Sequence, residues 1–125
     1  MSSREPVILG IDTSNYTTSA ARLEGENLRQ NKKLLPVKPG QLGLRQSDAV
    51  FHHVQQLPDI LAPLLEDAPA LRAVGVSDRP RAQEGSYMPC FTVGLGAARM
   101  LATQAGAALH RFSHQAGHIA AALHF

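Results

Sequence analysis

The sequence is poor in several residue types, and each shortage excludes a class of protein. It has one cysteine, Cys90, so an internal disulfide is excluded and a reducing compartment is expected. It has no tryptophan, two tyrosines and four phenylalanines, so the core is expected to be aliphatic. The formal net charge is only +2, unlike the dense basic patch of a dedicated nucleic-acid-binding domain.

Long apolar runs are missing as well. No stretch approaches the roughly 20 apolar residues needed to cross a bilayer, and residues 1–6 do not have the pattern of a signal peptide. We therefore expect a cytoplasmic protein that does not associate with membranes. The 125 residues, 44% of them hydrophobic and 18% charged, are typical of one globular domain.

The first third of the chain predicts three strands. Residues 7–11 form a continuous aliphatic run, which favours a strand buried on both faces. Residues 12–15 have turn chemistry, and residues 16–23 predict a second strand paired with the first. Residues 28–37 predict a third strand that is polar on one side, so we expect it near an edge of the sheet.

Beyond Ser47 the pattern becomes helical and then alternates. Apolar residues continue at helical spacing as far as Leu65, with Ser47 or Asp48 as the cap, and Pro58 predicts a kink or two short helices. The apolar positions of that helix are Val50, Val54, Leu57, Ile60, Leu61, Leu64 and Leu65.

The remaining residues predict strands and helices in alternation. Residues 71–77 predict a buried strand and residues 78–89 a loop. Residues 90–105 predict a helix, in which Gly94 and Gly96 indicate close packing. Residues 107–112 predict the last strand, and Ser113 is expected to cap a helix that begins at His114.

The resulting order, β-β-β-α-β-α-β-α, predicts an α/β domain with a mixed five-stranded sheet. Ligands of such sheets bind at the carboxyl ends of the strands. The turn at Asp12, the loop at residues 78–89 and the start of the His114 helix each follow a strand, so we expect them to converge.

Two histidines four residues apart form the candidate metal site. On a helix, His114 and His118 lie on one face and are able to share a metal ion. A tightly held metal needs at least three protein ligands, so the others are upstream, on a second chain, or absent. His110 is interpreted as structural, and at least one of His52 and His53 is expected to be solvated.

Three stretches resemble the TsaD-type family, which transfers threonylcarbamoyl to adenosine in tRNA and was formerly called O-sialoglycoprotein endopeptidase. Residues 8–14 (ILGIDTS) are similar to the family's opening Leu-Gly-Ile-Glu-Thr-Ser. Residues 73–76 with 93–102 resemble its glycine-containing strand-loop-helix, and residues 114–118 (HQAGH) match its His-x-x-Gly-His metal motif. TsaB-type partner proteins share the opening motif, whereas the histidine motif favours TsaD.

The resemblance implies a ribonuclease-H-like lobe of the actin/sugar-kinase/Hsp70-type ATPase fold. Residues 1–125 would be a single N-terminal lobe without its second lobe. His114 and His118 would hold a divalent metal, zinc or iron, with the family's third ligand, an aspartate, in the second lobe. ATP or an adenylate would bind only with that lobe.

Other residues have two interpretations each. The resemblance gives Asp12 a catalytic role, positioning a metal-bound water or a phosphate, whereas its plain role is to close the hairpin. Thr13, Ser14 and Asn15 cradle a phosphate or simply form the turn. Arg79 and Arg81 replace a glycine-rich loop of the family and are able to grip a phosphate or carboxylate.

Cys90, at a helix start, is either a thiol of lowered pKa or a small buried apolar residue.

Three functions from different classes remain open. The first is the N-terminal lobe of a TsaD-like transferase that is incomplete alone. The second is a non-catalytic paralogue that serves as a protein-interaction module, because Tyr16 and Thr17 stand where the family has acidic residues. The third is a metal-dependent glycoprotease, although Gln115 replaces the glutamate of a His-Glu-x-x-His site. Self-association or a TsaB-type partner is expected, with tRNA contacted only indirectly.

Overall fold

The computed structural model describes residues 6–14, 16–36, 45–68, 71–80 and 89–113. Its elements in chain order are β1 (Val7–Thr13), β2 (Thr17–Glu24), β3 (Asn27–Leu34), α1 (Gln46–Leu65), β4 (Leu71–Arg79), α2 (Phe91–Ala105) and β5 (Ala108–Ser113). The predicted order is confirmed through the fifth strand. The helix predicted to begin at His114 lies outside the described residues.

The strands form one mixed sheet in the order β3-β2-β1-β4-β5. β1 and β2 pair antiparallel, as do β2 and β3, whereas β4 is parallel to both β1 and β5. The mixed five-stranded sheet is therefore confirmed. The edge position of β3 is also as predicted, and it explains why nearly all residues of this strand are exposed.

Both described helices pack on the same face of the sheet and enclose an aliphatic core. The sheet contributes alternate residues of its central strands, since successive side chains of a strand point to opposite faces. The core residues are Leu9, Ile11, Ala20, Val74 and Val76 from the sheet, Leu57, Ile60, Leu61 and Leu64 from α1, and Ala98 and Ala102 from α2.

Small residues let α2 approach the sheet closely. Gly94, Ala98 and Ala102 recur every fourth residue and are all buried. A β-carbon at Gly94 would lie 2.9 Å from Oγ1 of Thr13, so the packing role predicted for this glycine is confirmed. Within the described residues, an added β-carbon at Gly96 meets nothing within 4 Å, so the same prediction is not borne out there.

The first helix runs continuously through Pro58, so the alternative of two short helices is wrong, whereas a kink at Pro58 stays a prediction. Proline deprives the carbonyl four residues earlier of its donor, here the carbonyl of Val54. Both residues are exposed, and Val54 has 56% of its surface accessible. Water is able to replace the missing hydrogen bond, which explains why the helix tolerates this proline.

The buried face of α1 also differs from the predicted apolar stripe. Val54 is exposed, whereas His53 and Gln56 are buried in the same helix. The residue preceding the helix is Arg45, so the predicted caps Ser47 and Asp48 instead lie in the first turn.

Two strands are longer than predicted at their carboxyl ends. β1 includes Asp12 and Thr13, and β4 includes Asp78 and Arg79, because pairing with neighbouring strands continues past the aliphatic runs. β5 similarly includes Ser113, which was expected to be a helix cap. Neither described helix is both long enough and apolar enough to span a membrane.

Candidate functional site

The carboxyl ends of β1, β4 and β5 lie at one edge of the sheet. These strands are parallel, and the register places Ile11 beside Val76 and Arg79 beside Ser113. The predicted convergence is therefore confirmed for the strand ends that precede the candidate turn, loop and helix. Of the candidate site residues, Asn15, Arg81, His114 and His118 lie outside the described residues.

Asp12 lies within β1 and not in the turn that follows it. It stands opposite Ser19 of β2, which in turn stands opposite Lys32 of β3. Directly opposed residues share one face of a sheet, so these three side chains form a row across three strands. The row is on the face away from α1 and α2, which we call the open face.

A groove of about 640 Å³ runs along this row. Its lining combines the carboxylate of Asp12 and the ammonium of Lys32 with the neutral polar groups of Ser14, Ser19 and Gln30. One carboxylate oxygen of Asp12, Oδ1, is shielded from solvent. The groove therefore offers a polar ligand one anionic group, one cationic group and several neutral hydrogen-bonding groups.

A smaller cavity of about 180 Å³ continues from Asp12 towards β4. Its lining includes Gly10, Gly75 and Ser77, and the ring of Phe112 covers Gly75 so closely that an added β-carbon would lie 2.9 Å from it. The hydroxyl of Ser77 is buried and has no hydrogen-bond partner within the described part of the chain. The lining of this cavity is therefore a mixture of apolar and polar groups.

Thr13 faces the opposite side of the sheet from Asp12 and is fully buried. Its hydroxyl donates a hydrogen bond to the carbonyl of Cys90 at 2.9 Å and accepts one from the amide of Gly94 at 3.0 Å. Both bonds join the end of β1 to the start of α2. This geometry gives the Thr13 side chain a structural role, and phosphate binding by Thr13 stays a prediction.

Ser14 lines the groove and is held from the helix side. Its hydroxyl lies 3.4 Å from the carbonyl of Thr17, across the turn between β1 and β2. Its own carbonyl accepts a hydrogen bond from Nε2 of His53 at 2.5 Å. His53 of α1 therefore contacts the candidate phosphate-binding turn directly.

His53 is fully buried, and sequence patterning did not identify it as a site residue. Burial lowers the pKa of its imidazole below the ordinary 6.5, and this effect outweighs the bond to Ser14 and the charge of Asp12, which both raise it. The neighbouring His52 is half-buried. Its position on an apolar helix face between Ala49 and Leu57 was a hint that it is buried. The expectation that at least one of His52 and His53 is solvated did not say which of the two is buried.

Cys90 is buried beside Leu35, Ala49 and Phe91. Burial raises the pKa of its thiol to about 11, with the negative charge of Asp12 adding to the effect. The interpretation as a small buried apolar residue is therefore the one that its surroundings favour.

Arg79 already has an anionic partner. Its guanidinium lies 2.5 Å from one oxygen of Asp78, and Arg111 of β5 lies 2.8 Å from the other. The two arginines thus share one carboxylate at the carboxyl edge of the sheet. An incoming phosphate would have to compete with Asp78 for Arg79.

Residues able to hold a metal do not cluster within the described ranges: no group of three or more histidine, cysteine, aspartate or glutamate side chains is found among them. His110 lies in β5, as predicted, and is exposed. Metal binding by His114 and His118 stays a prediction.

Comparison with known proteins identifies the fold. No family model matches the chain, and neither does any curated protein. Among solved structures, YeaZ from Pseudomonas aeruginosa matches with a TM-score of 0.62 and 18% identity, over 86% of this chain and 43% of that one. A protein described as uncharacterized with similarity to peptidase YEAZ, also from P. aeruginosa, matches with a TM-score of 0.63, 18% identity and the same coverage.

The likeness shows that the chain has a ribonuclease-H-like fold, as predicted. The chain spans less than half the length of these two structures.

Proposed function

We propose that this chain acts in the threonylcarbamoyl modification of tRNA, as a lobe of the kind found in TsaD-type transferases. The observation that carries the proposal is the likeness to YeaZ, a TsaB-type protein and a paralogue of TsaD, over 86% of the chain. The motif at residues 114–118 supports TsaD within this pair of paralogues.

In this proposal His114 and His118 hold a divalent metal, which polarises the acyl oxygen of the threonylcarbamoyl group when bound. The described residues contribute binding and orientation. Asp12 and Ser14 line the groove on the open face, where a carboxylate and polar neighbours orient a donor group. Tyr16 and Thr17, which stand where the family pattern has acidic residues, add no carboxylate to that of Asp12.

A second candidate is a non-catalytic partner protein in the same modification, and two observations favour it. The solved neighbours are of the TsaB type, and Tyr16 and Thr17 replace the acidic residues of the TsaD pattern. In this alternative the chain contributes a surface for a TsaD-type protein and needs no metal.

Metal stoichiometry separates the two candidates. The purified chain and its His114→Ala/His118→Ala variant are titrated with Zn²⁺ and Fe²⁺ by calorimetry, and each is mixed with a TsaD-type protein and analysed by light scattering. Binding of one metal per chain, or one per two chains, that is lost in the double variant supports the transferase lobe. A stable complex without metal binding supports the partner protein, and the absence of both contradicts the two candidates together.

A further inference from the structure

Four hydrogen bonds form an internal chain that ends at the turn between β1 and β2. Nε2 of Gln56 donates to the carbonyl of Leu34 at 3.3 Å, and Oε1 of Gln56 lies 3.0 Å from Oγ1 of Thr18. The same Oγ1 lies 2.7 Å from Nδ1 of His53, whose Nε2 lies 2.5 Å from the carbonyl of Ser14. Thr18 and His53 are fully buried, and Gln56 is 9% exposed.

The two ends of this chain fix the direction of the bonds. A backbone carbonyl only accepts hydrogen bonds. The amide nitrogen of Gln56 must therefore point at Leu34, which turns its oxygen towards Thr18. At the other end, Nε2 of His53 must carry a hydrogen in order to bond to Ser14.

The hydroxyl of Thr18 has a single hydrogen and two acceptors beside it. If it donates to Gln56, Nδ1 of His53 must itself donate to Thr18. His53 then carries hydrogens on both nitrogens and is an imidazolium. If Thr18 donates to Nδ1 instead, the ring is neutral and Oε1 of Gln56 loses its donor. Only the protonated ring completes every bond of the chain.

Opposing electrostatic effects act on the ring. Burial disfavours the imidazolium, and so does the neighbouring His52 of α1. The carboxylate of Asp12 in β1 favours it, while β2 presents the neutral Thr18. Because these effects oppose one another, a change in the hydrogen-bond chain is able to alter the protonation state of the buried His53 ring.

We propose that protonation of His53 strengthens its hydrogen bonds to the β1–β2 turn. Gln56 controls this protonation, because its side-chain oxygen competes with Nδ1 of His53 for the hydroxyl hydrogen of Thr18. The protonated ring binds Thr18 and Ser14 with the chain complete, and the neutral ring leaves one buried acceptor unmatched. Because Ser14 also lines the groove beside Asp12, the protonation of His53 tightens the turn at the candidate site. This device does not require the tRNA function proposed above.

The test is an NMR titration of the His53 ring nitrogens in three proteins: wild type, Gln56→Met and the control Gln55→Met. Gln56 is linked to His53 through the hydroxyl of Thr18, whereas Gln55 is the exposed neighbour of Gln56 in α1. Loss of the Gln56 oxygen gives the Thr18 hydrogen to Nδ1 and stabilises the neutral ring. The proton affinity of His53 is expected to fall about three- to tenfold in Gln56→Met, the size of one hydrogen bond, and to be unchanged in Gln55→Met.

Wild type supplies a second readout if Gln56→Met does not fold. The backbone amides of Thr17 and Thr18 are expected to shift with the same midpoint as the His53 ring, and Thr18→Ser, which keeps the hydroxyl, is expected to preserve this coupling. Equal proton affinities in Gln56→Met and Gln55→Met would overturn the proposal. Turn amides that do not follow the ring in wild type would also overturn it.

Discussion

The amide of Gly94 donates a hydrogen bond to the hydroxyl of Thr13 at 3.0 Å, which fixes the first turn of α2 against the end of β1. The two residues are 81 positions apart in the chain. Thr13 also donates to the carbonyl of Cys90 at 2.9 Å, so one hydroxyl satisfies a donor and an acceptor at the start of the helix. The position of the candidate turn after β1 therefore depends on this contact.

Alanine at position 94 is expected to destabilise the fold. The new β-carbon would lie 2.9 Å from Oγ1 of Thr13 and 3.3 Å from Cγ2 of Ile11, both in a buried strand. The overpacking is expected to lower the free energy of unfolding by about 1–3 kcal/mol, despite the better helix propensity of alanine. Urea unfolding of Gly94→Ala measures this.

Gly96→Ala is the matched control, because it makes the same substitution in the same helix at a position where no described residue lies within 4 Å of the added β-carbon. It is expected to be neutral or to stabilise by up to about 1 kcal/mol. Equal effects at the two positions would contradict the packing described for α2.

Arg22 is expected to contribute strongly to stability through the end of α1. Its buried guanidinium donates to the carbonyls of Leu64 at 3.0 Å and Glu66 at 3.3 Å, and it lies 2.6 Å from the carboxylate of Glu24. Arg22→Met leaves these acceptors without their donor and is expected to cost about 2–4 kcal/mol in urea unfolding. Arg29→Met, which removes an exposed bond to the carbonyl of Pro63, is expected to cost less than about 1 kcal/mol. The reverse order would contradict the role given to Arg22.

The buried His53 is expected to make the protein less stable in acid. Because burial lowers its pKa in the folded state, the unfolded chain binds the proton first as the pH falls. The contribution of His53 to stability is complete above the ordinary pKa of 6.5 and decreases as the pH falls below it. Unfolding curves between pH 8 and pH 5 measure this loss of stability. In His53→Gln, the part of the pH dependence of the free energy of unfolding that is due to His53 is expected to disappear. A stability difference between the two proteins that does not vary with pH would contradict the lowered pKa.

The thiol of Cys90 is expected to resist alkylation in the folded protein. It is buried, and its pKa is raised to about 11, so thiolate is scarce at pH 8. Mass spectrometry after iodoacetamide treatment is expected to show modification in urea and almost none in its absence. Rapid labelling of the native protein would show instead that Cys90 is an activated thiol.

Hydrophobic patterning was sufficient to predict the sheet, because the aliphatic runs of β1 and β4 mark two of its interior strands. The prediction that β1 is buried on both faces is wrong, since Ile8 on the open face is 44% exposed. It was not sufficient for Asp12, whose turn chemistry is overridden by pairing with Ser19. It also missed His53 and Gln56, since a polar residue on an apolar helix face is explained only by partners such as Thr18, 38 positions from Gln56. The positions and partners of these residues depend on contacts between distant segments, which no local sequence pattern encodes.

If the chain serves threonylcarbamoyl modification of tRNA, as proposed above, the threonylcarbamoyladenosine content of tRNA depends on it, and mass spectrometry measures that content. The chain is depleted in its source organism and then restored as wild type or as the His114→Ala/His118→Ala variant. The modified nucleoside is expected to fall on depletion and to return with wild type. Failure of the variant to restore it would identify the transferase lobe, whereas restoration would identify the partner protein. An unchanged content of threonylcarbamoyladenosine after depletion would contradict the claim.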